Sequence, residues 1–221
     1  MTRPTPAPRH FVTRRGIPGL DTDAGDARVP TQERGTRRVE AILDAAAELV
    51  TELGVEGVTA QALADRAATS KGSLYHFFPD VSAVLRALGE RHLGEIEAIV
   101  LRIEQDEQIP WRQLSADDVV ALMLAPLDYL ERNCDLLALV RAPNILPRPS
   151  RSMQPMLSFV EFILEARFPL MPEARRAARA ATIVAVIDGV VGTATRGCSA
   201  GAPDMRRDLE ELLVLYLAGI D

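Results

Sequence analysis

The sequence is poorest in the residues from which most catalytic, metal and redox sites are built. Of its 221 residues only three are histidine, His10, His76 and His92, and they offer neither a paired ligand spacing nor a nucleophile-base-acid set. Two cysteines, Cys134 and Cys198, stand far apart without metal-ligand spacing, and they read as reduced thiols of a cytoplasmic protein. No glycine-rich phosphate loop follows a strand, no segment alternates with the two-residue period that would demand a strand, and there is no internal repeat. No apolar stretch reaches membrane-spanning length without charges, and the N-terminal residues lack a signal-peptide core. Glu48, Glu52 and Glu56 are four apart, which one helix turn explains as a solvated face. Catalysis, a metal, a cofactor and a membrane partner are therefore not expected.

Lysine is scarcer still, for Lys71 is the only one in a chain otherwise supplied with arginine. The formal net charge of −6 argues against indiscriminate nucleic-acid binding, although a compact reader of DNA needs positive charge only along its docking face. With 48% hydrophobic and 25% charged residues the chain has ample material for a buried core. Residues 1–34 are the exception. They carry many of the prolines and several glycines without apolar periodicity, the composition of a disordered tail. Arg3, Arg9, Arg14 and Arg15 give this tail two readings: a solvated segment, or a basic arm that enters a neighbouring minor groove, with the interleaved aspartates opposing the second.

What is present is helical periodicity. Val39, Ile42, Leu43, Ala46, Leu49 and Val50 share one helix face, and Gly54 follows where a left-handed residue would end the helix. Thr59 is placed to cap a second helix, Ala60 to Ala67, whose Leu63 and Ala67 pack back onto the first. After a turn at Ala68 and Thr69, Ser70 caps a third helix that opens on Lys71, where free N–H groups and the positive dipole end suit an approaching phosphate. Leu74 and Phe78 can anchor this helix, leaving Lys71, Ser73, Tyr75 and His76 wholly or partly exposed. Gly72 makes sense there if another backbone comes close. A major groove admits such a helix, and its ammonium, hydroxyl, phenol and imidazole groups can bond phosphates or base edges. Thr59, Ser70, Lys71, Gly72, Ser73, Tyr75 and His76 are the candidate DNA-binding residues.

The stretch Ile42-Leu43-Asp44-Ala45-Ala46, followed by Gly57-Val58-Thr59 and then Ser70-Lys71-Gly72-Ser73-Leu74-Tyr75-His76-Phe77-Phe78, resembles the N-terminal domain of the TetR (tetracycline-repressor-like) transcriptional regulators. The likeness is dense over about fifty residues. Three departures stand out. Ala68-Thr69 replaces the family's usual Gly-Val, so a left-handed Ala68 would cost roughly 1 kcal/mol. Val81, behind a cap at Asp80, replaces the lysine that meets a phosphate in relatives. The aromatic spacing leaves either Phe77 or Phe78 to pack inward.

Beyond this segment the pattern stays helical: Asp80 to about Glu104, a break at Pro110-Trp111, Ser115 to about Asn133 with Pro126 inside, and Leu136 to about Arg141. Pro143, Pro147 and Pro149 mark a loop, and Ser152 to Phe168, Pro172 to Arg196 and Asp204 to Ala218 complete the chain. In the last two helices Ala181, Val184, Ala185, Ile187, Val190, Val191 and Ala194 surround one helix with apolar groups, and Leu209, Leu212, Leu213, Tyr216 and Leu217 stripe the other. Small residues Gly189 and Gly192 permit close approach, so two copies of this pair would make a four-helix interface. The resemblance implies the same homodimer, on a roughly palindromic operator. It also implies a small-molecule effector among the middle helices, where Trp111, Met123, Tyr129, Met156, Phe159, Phe162 and Asp188 are candidate lining groups. Aromatic and methionine side chains at helical spacing equally suit ordinary core. Asp188, in an apolar surrounding, calls for a partner.

The fold expected is all-α: a tail at 1–34, a three-helix helix-turn-helix DNA-binding domain at 35–80, and a helical effector-binding and dimerisation domain at 81–221. The expected function is a transcriptional repressor that a small molecule releases from double-stranded DNA. The alternatives are an activator or ligand-independent regulator with the same head, or a helical interaction module without DNA binding.

Overall fold

A computed structural model describes residues 29–142, 145–146, 149–196 and 202–220. Among these the chain is all helical: α1 Val29–Leu53, α2 Ala60–Arg66, α3 Lys71–Phe77, α4 Val81–Gln105, α5 Ala116–Arg132, α6 Cys134–Arg141, α7 Pro149–Arg167, α8 Glu173–Arg196 and α9 Ala202–Ala218, with a 3-10 turn at Val55–Gly57. The chain divides into two units after Arg37, and of the first only the opening turns of α1 are described. That helix starts at Val29, within the stretch whose composition reads as tail. The arginines at 3, 9, 14 and 15, like Cys198, lie outside the described residues.

Local chemistry sets the helix boundaries. Gly54 ends the first helical stretch with φ of 72°, its N–H bonded to the Val50 carbonyl at 2.9 Å. Thr59, Ser70, Asp80 and Ser115 each cap the following helix by accepting a backbone N–H, from Ala62, Ser73, Ala83 and Asp118 respectively. At α5 the cap is reciprocal: the Asp118 carboxylate reaches back to the N–H of Ser115, and bonds from Ser115 hold its pKa below the usual carboxylate range. Pro126 lies buried inside α5, which continues through it. Pro149, expected in a loop, opens α7, a position where its missing N–H costs nothing.

Within residues 38–221 the apolar side chains gather in two clusters. The first joins Ile42, Leu43, Ala46, Leu49 and Val50 of α1 to Leu63 of α2, Leu74 of α3 and Phe78. It does not stop at Asp80, because Val84, Leu85 and Leu88 of α4 and Leu139 of α6 complete it. The second is built from α5, α7, α8 and α9, with Met123, Phe159, Ile163, Ile183 and Leu213 at 1% exposure or less. Each such side chain contributes about 1.5–3 kcal/mol relative to exposure, so these clusters dominate the order of the helices. Gly89 leaves the room on α4 that Leu146 fills.

Helix α4 runs on from the first cluster, with Val100 and Ile103 packed against the second. Between these two zones sits buried His92. Its Nε2 lies 2.7 Å from Asp135 Oδ2 on α6, and its Nδ1 lies 2.9 Å from the Tyr129 hydroxyl on α5. Burial presses the Asp135 carboxyl upward, but bonds from His92, the His92 charge and the N–H groups of Leu136 and Asp135 outweigh it, leaving the group below the usual range. Burial and the nearby Glu95 and Asp135 carboxylates push the Tyr129 phenol up, with Arg91 opposing.

Candidate nucleic-acid interface

Helices α2 and α3 are short and cannot stand alone, so their orientation follows from three anchors. Leu63 is fully buried, Leu74 is 1% exposed and Phe78 is 8% exposed, all in the first cluster. Phe78, not Phe77, is the buried aromatic of the signature; Phe77 stays half-buried and meets His76 edge to face at 5.0 Å between ring centroids. Between the helices, α2 ends in a Schellman closure: Ala68 N–H bonds the Asp65 carbonyl at 3.3 Å and Thr69 N–H bonds the Ala64 carbonyl at 2.9 Å. Ala68 therefore takes the left-handed position, with φ of 48°, as the departure from Gly-Val anticipates.

With Leu74 held inward, α3 turns its other side chains out. Lys71, Gly72, Tyr75 and His76 are exposed, Tyr75 at 51%, and Ser73 is half-buried. Thr59 and Ser70 are exposed at the starts of α2 and α3, where their hydroxyl oxygens accept a capping N–H. The seven candidate residues thus belong to one continuous helix-turn-helix segment, and Lys71, Tyr75 and His76 line the outer side of its second helix. Val81, the second departure from the family pattern, packs against the first cluster.

The acidic residues nearby serve the scaffold. Arg66 of α2 bonds Glu52 at 2.7 Å and Glu48 at 2.9 Å, so those carboxylates are exposed but not simply solvated, and the bond from Arg66 draws the Glu52 pKa down. Arg91 of α4 reaches Asp44 at 2.7 Å and Glu40 at 3.4 Å on α1. Sequence reasoning missed these partners, and it missed Arg38. The Arg38 guanidinium lies 3.4 Å from Ser73 Oγ on α3. Together with Ala64, Asp65, Ala68, Thr69, Ser70 and Ser73 it lines an open concavity of about 430 Å³ beside the reading helix. Thirty-five residues separate the bonded pair, so no local spacing could reveal it.

A family model described as bacterial regulatory proteins of the tetR family matches residues 42–88, the segment that carries this geometry. Over these residues the chain is similar to the TetR family. No curated protein gives a significant match, but solved structures do. SmeT, the repressor of a Stenotrophomonas maltophilia multidrug efflux pump, is 25% identical with a TM-score of 0.61, covering 82% of this chain and 89% of its own. A TetR-family regulator from Streptomyces coelicolor is 25% identical with a TM-score of 0.55, covering 85% and 99%. One from Mesorhizobium loti, at 15% identity and a TM-score of 0.61 over 84% and 97%, shares the fold. The matched segment and the shared all-helical fold support a DNA-binding transcriptional regulator, and among the described residues no helix is long and apolar enough to cross a membrane.

The groups proposed for an effector fall into three places in this TetR-family fold. Met123 and Phe159 are fully buried in the second cluster, while Trp111, Met156 and Phe162 pack against it half-buried, Trp111 and Phe162 edge to face at 5.7 Å. Tyr129 instead bonds His92. Asp188, expected in an apolar surrounding, is exposed in the single chain. Arg206 of α9 bonds Asp128 at 2.6 Å, Glu210 at 2.7 Å and Glu131 at 3.2 Å.

Proposed function

We infer that the chain acts as a homodimeric repressor that binds a palindromic operator and is released by a small-molecule effector. The observation that carries the operator reading is the outward set of Lys71, Tyr75 and His76 on a helix anchored through Leu74 and Phe78. A helix of this kind places donors against base edges while Thr59 and Ser70 meet flanking phosphates. Description of SmeT as a repressor supports repression here.

The dimer reading rests on what α8 and α9 leave uncovered. Ala181, Ala185 and Gly189 are exposed on α8, and apart from the chain neighbours and the helix's own backbone no described atom lies within 4 Å of the place where a side chain on Gly189 would begin. On α9, Leu212 is 49% and Leu215 74% exposed. Small groups beside large apolar ones are what a second copy of the same helix pair would cover, and the twofold partner sets two reading helices about one DNA turn apart.

An effector enters this scheme through the half-buried side of the second cluster, at Trp111, Met156 and Phe162, since Met123 and Phe159 are already packed. To release DNA it must favour the other spacing of the two heads, by about 1.4 kcal/mol for each tenfold loss of affinity. The test is selection of an operator from random sequence, followed by a salt series on the selected site. Lys71→Ala is expected to weaken binding and flatten the salt slope; unchanged affinity and slope would remove α3 from the DNA.

A further inference from the structure

The basic residues between Arg38 and Arg91 differ in what already holds them. Arg66 is bonded to Glu48 and Glu52, Arg91 to Glu40 and Asp44, and Arg86 lies 3.8 Å from Asp80. A guanidinium committed to carboxylates offers little net charge to an approaching anion. Among the described contacts, Arg38 bonds only a neutral hydroxyl, that of Ser73, and Lys71 has no ion pair. These two uncommitted cations flank Ser70 and Ser73, one on the reading helix and one reaching it from α1.

Arg38 also borders an opening of the right chemistry and size. The concavity of about 430 Å³ is walled by alanine, serine and threonine, whose short side chains leave a phosphate room to sit against the guanidinium. Asp65 shares the wall, and its carboxylate accepts from Gln61 Nε2 at 2.7 Å. Its charge repels a phosphate and so directs it to the Arg38 side. A planar guanidinium has five donors, so the bond to Ser73 leaves others for a phosphate oxygen pair. By donating to Ser73 Oγ, Arg38 also turns the hydroxyl hydrogen away from itself, which orients Ser73 as a donor.

We propose that Arg38 is a further DNA contact, which grips one backbone phosphate of the operator over this concavity and at the same time positions Ser73 of the reading helix. The proposal rests on the operator reading above. It assigns to α1 a role in seating α3 on the duplex, and it offsets the missing cation at Val81.

The full-length protein is titrated onto its selected operator across a salt series, as wild type, Arg38→Ala, Arg38→Lys and Lys71→Ala. Arg38→Ala is expected to lose about tenfold or more in affinity for operator and unrelated duplex alike, and to flatten the slope of log affinity against log salt by about 0.9 per contact, hence about 1.8 for two copies. Arg38→Lys keeps the charge and restores the slope, but not the full affinity, because an ammonium cannot fork a phosphate and a serine together. A melting curve confirms that the exposed substitution leaves the fold intact. If Lys71→Ala weakens binding while Arg38→Ala leaves affinity and slope at wild-type values, the inference is wrong and the operator reading stands. If neither variant changes binding, both fall.

Discussion

Replacing Asp135 tests how α4 is tied to α6. The Asp135 and His92 side chains are 10% and 7% exposed and 2.7 Å apart. Asp135→Ala leaves a buried imidazole facing a void that once held its acceptor. Breaking one side of a buried pair costs about 3–5 kcal/mol, a large share of the roughly 5–15 kcal/mol that keeps a domain folded. At a urea dependence of about 1–3 kcal/mol per molar, a loss of 3 kcal/mol moves the unfolding midpoint down by about 1–3 M. Asp135→Asn keeps an acceptor of the same shape without the charge, so it should lose less. The pH dependence has a definite sign. The folded carboxyl of Asp135 sits below its ordinary value, so its contribution is fully present above the ordinary aspartate range, about pH 4, and is lost as pH falls through the lower folded value. The stability difference between wild type and Asp135→Asn, followed by circular dichroism in urea at fixed protein concentration, should thus hold from neutrality to about pH 5 and shrink below about pH 4. An Asp135→Ala protein within about 0.5 kcal/mol of wild type at pH 7 would refute the reasoning, since surface substitutions alone stay in that range.

Other expectations follow from the same geometry. Ala68→Gly removes a left-handed cost of about 1–2 kcal/mol and adds back roughly 0.5–1 kcal/mol of glycine entropy, so a net gain of up to about 1.5 kcal/mol should raise the melting midpoint by a few degrees. A lowered midpoint would mean that the turn is not as drawn. Leu215→Glu with Leu212→Glu should convert a dimer to a monomer by light scattering and abolish tight operator binding, with helix content unchanged; a dimer that persists places the interface elsewhere. Ser115→Ala removes the hydroxyl half of the α5 capping box, leaving only the backbone N–H of residue 115 to the Asp118 carboxylate, and should cost about 1 kcal/mol in urea unfolding without altering operator affinity.

Much of the reading head was legible in the residues because its determinants are local. The caps at Thr59, Ser70, Asp80 and Ser115 act over three residues, the positive φ at Gly54 and Ala68 over one turn, and the inward set of Ile42, Leu43, Leu49, Leu74 and Phe78 over helical spacing. Such features survive in a single chain of letters, and so does the TetR resemblance they make up. The helix starts were harder. The composition of residues 29–34 and Pro149 argued for coil, yet both stretches are helical, since helix is set by the chain around a residue as well as by the residue itself.

The order of letters determined which segments are helical and which side of α3 faces outward, because periodicity and capping are properties of neighbours. Only the tertiary structure decided which charged and polar groups find one another: Arg38 with Ser73, Arg66 with Glu48 and Glu52, His92 with Asp135 and Tyr129, and Arg206 with three carboxylates. It likewise chose Phe78 over Phe77 for the core and left Asp188 in solvent. These are pairings across helices, fixed by crossing and rotation once apolar faces have packed, and hydrogen bonds and ion pairs are sensitive to displacements of an ångström that no spacing along the chain records.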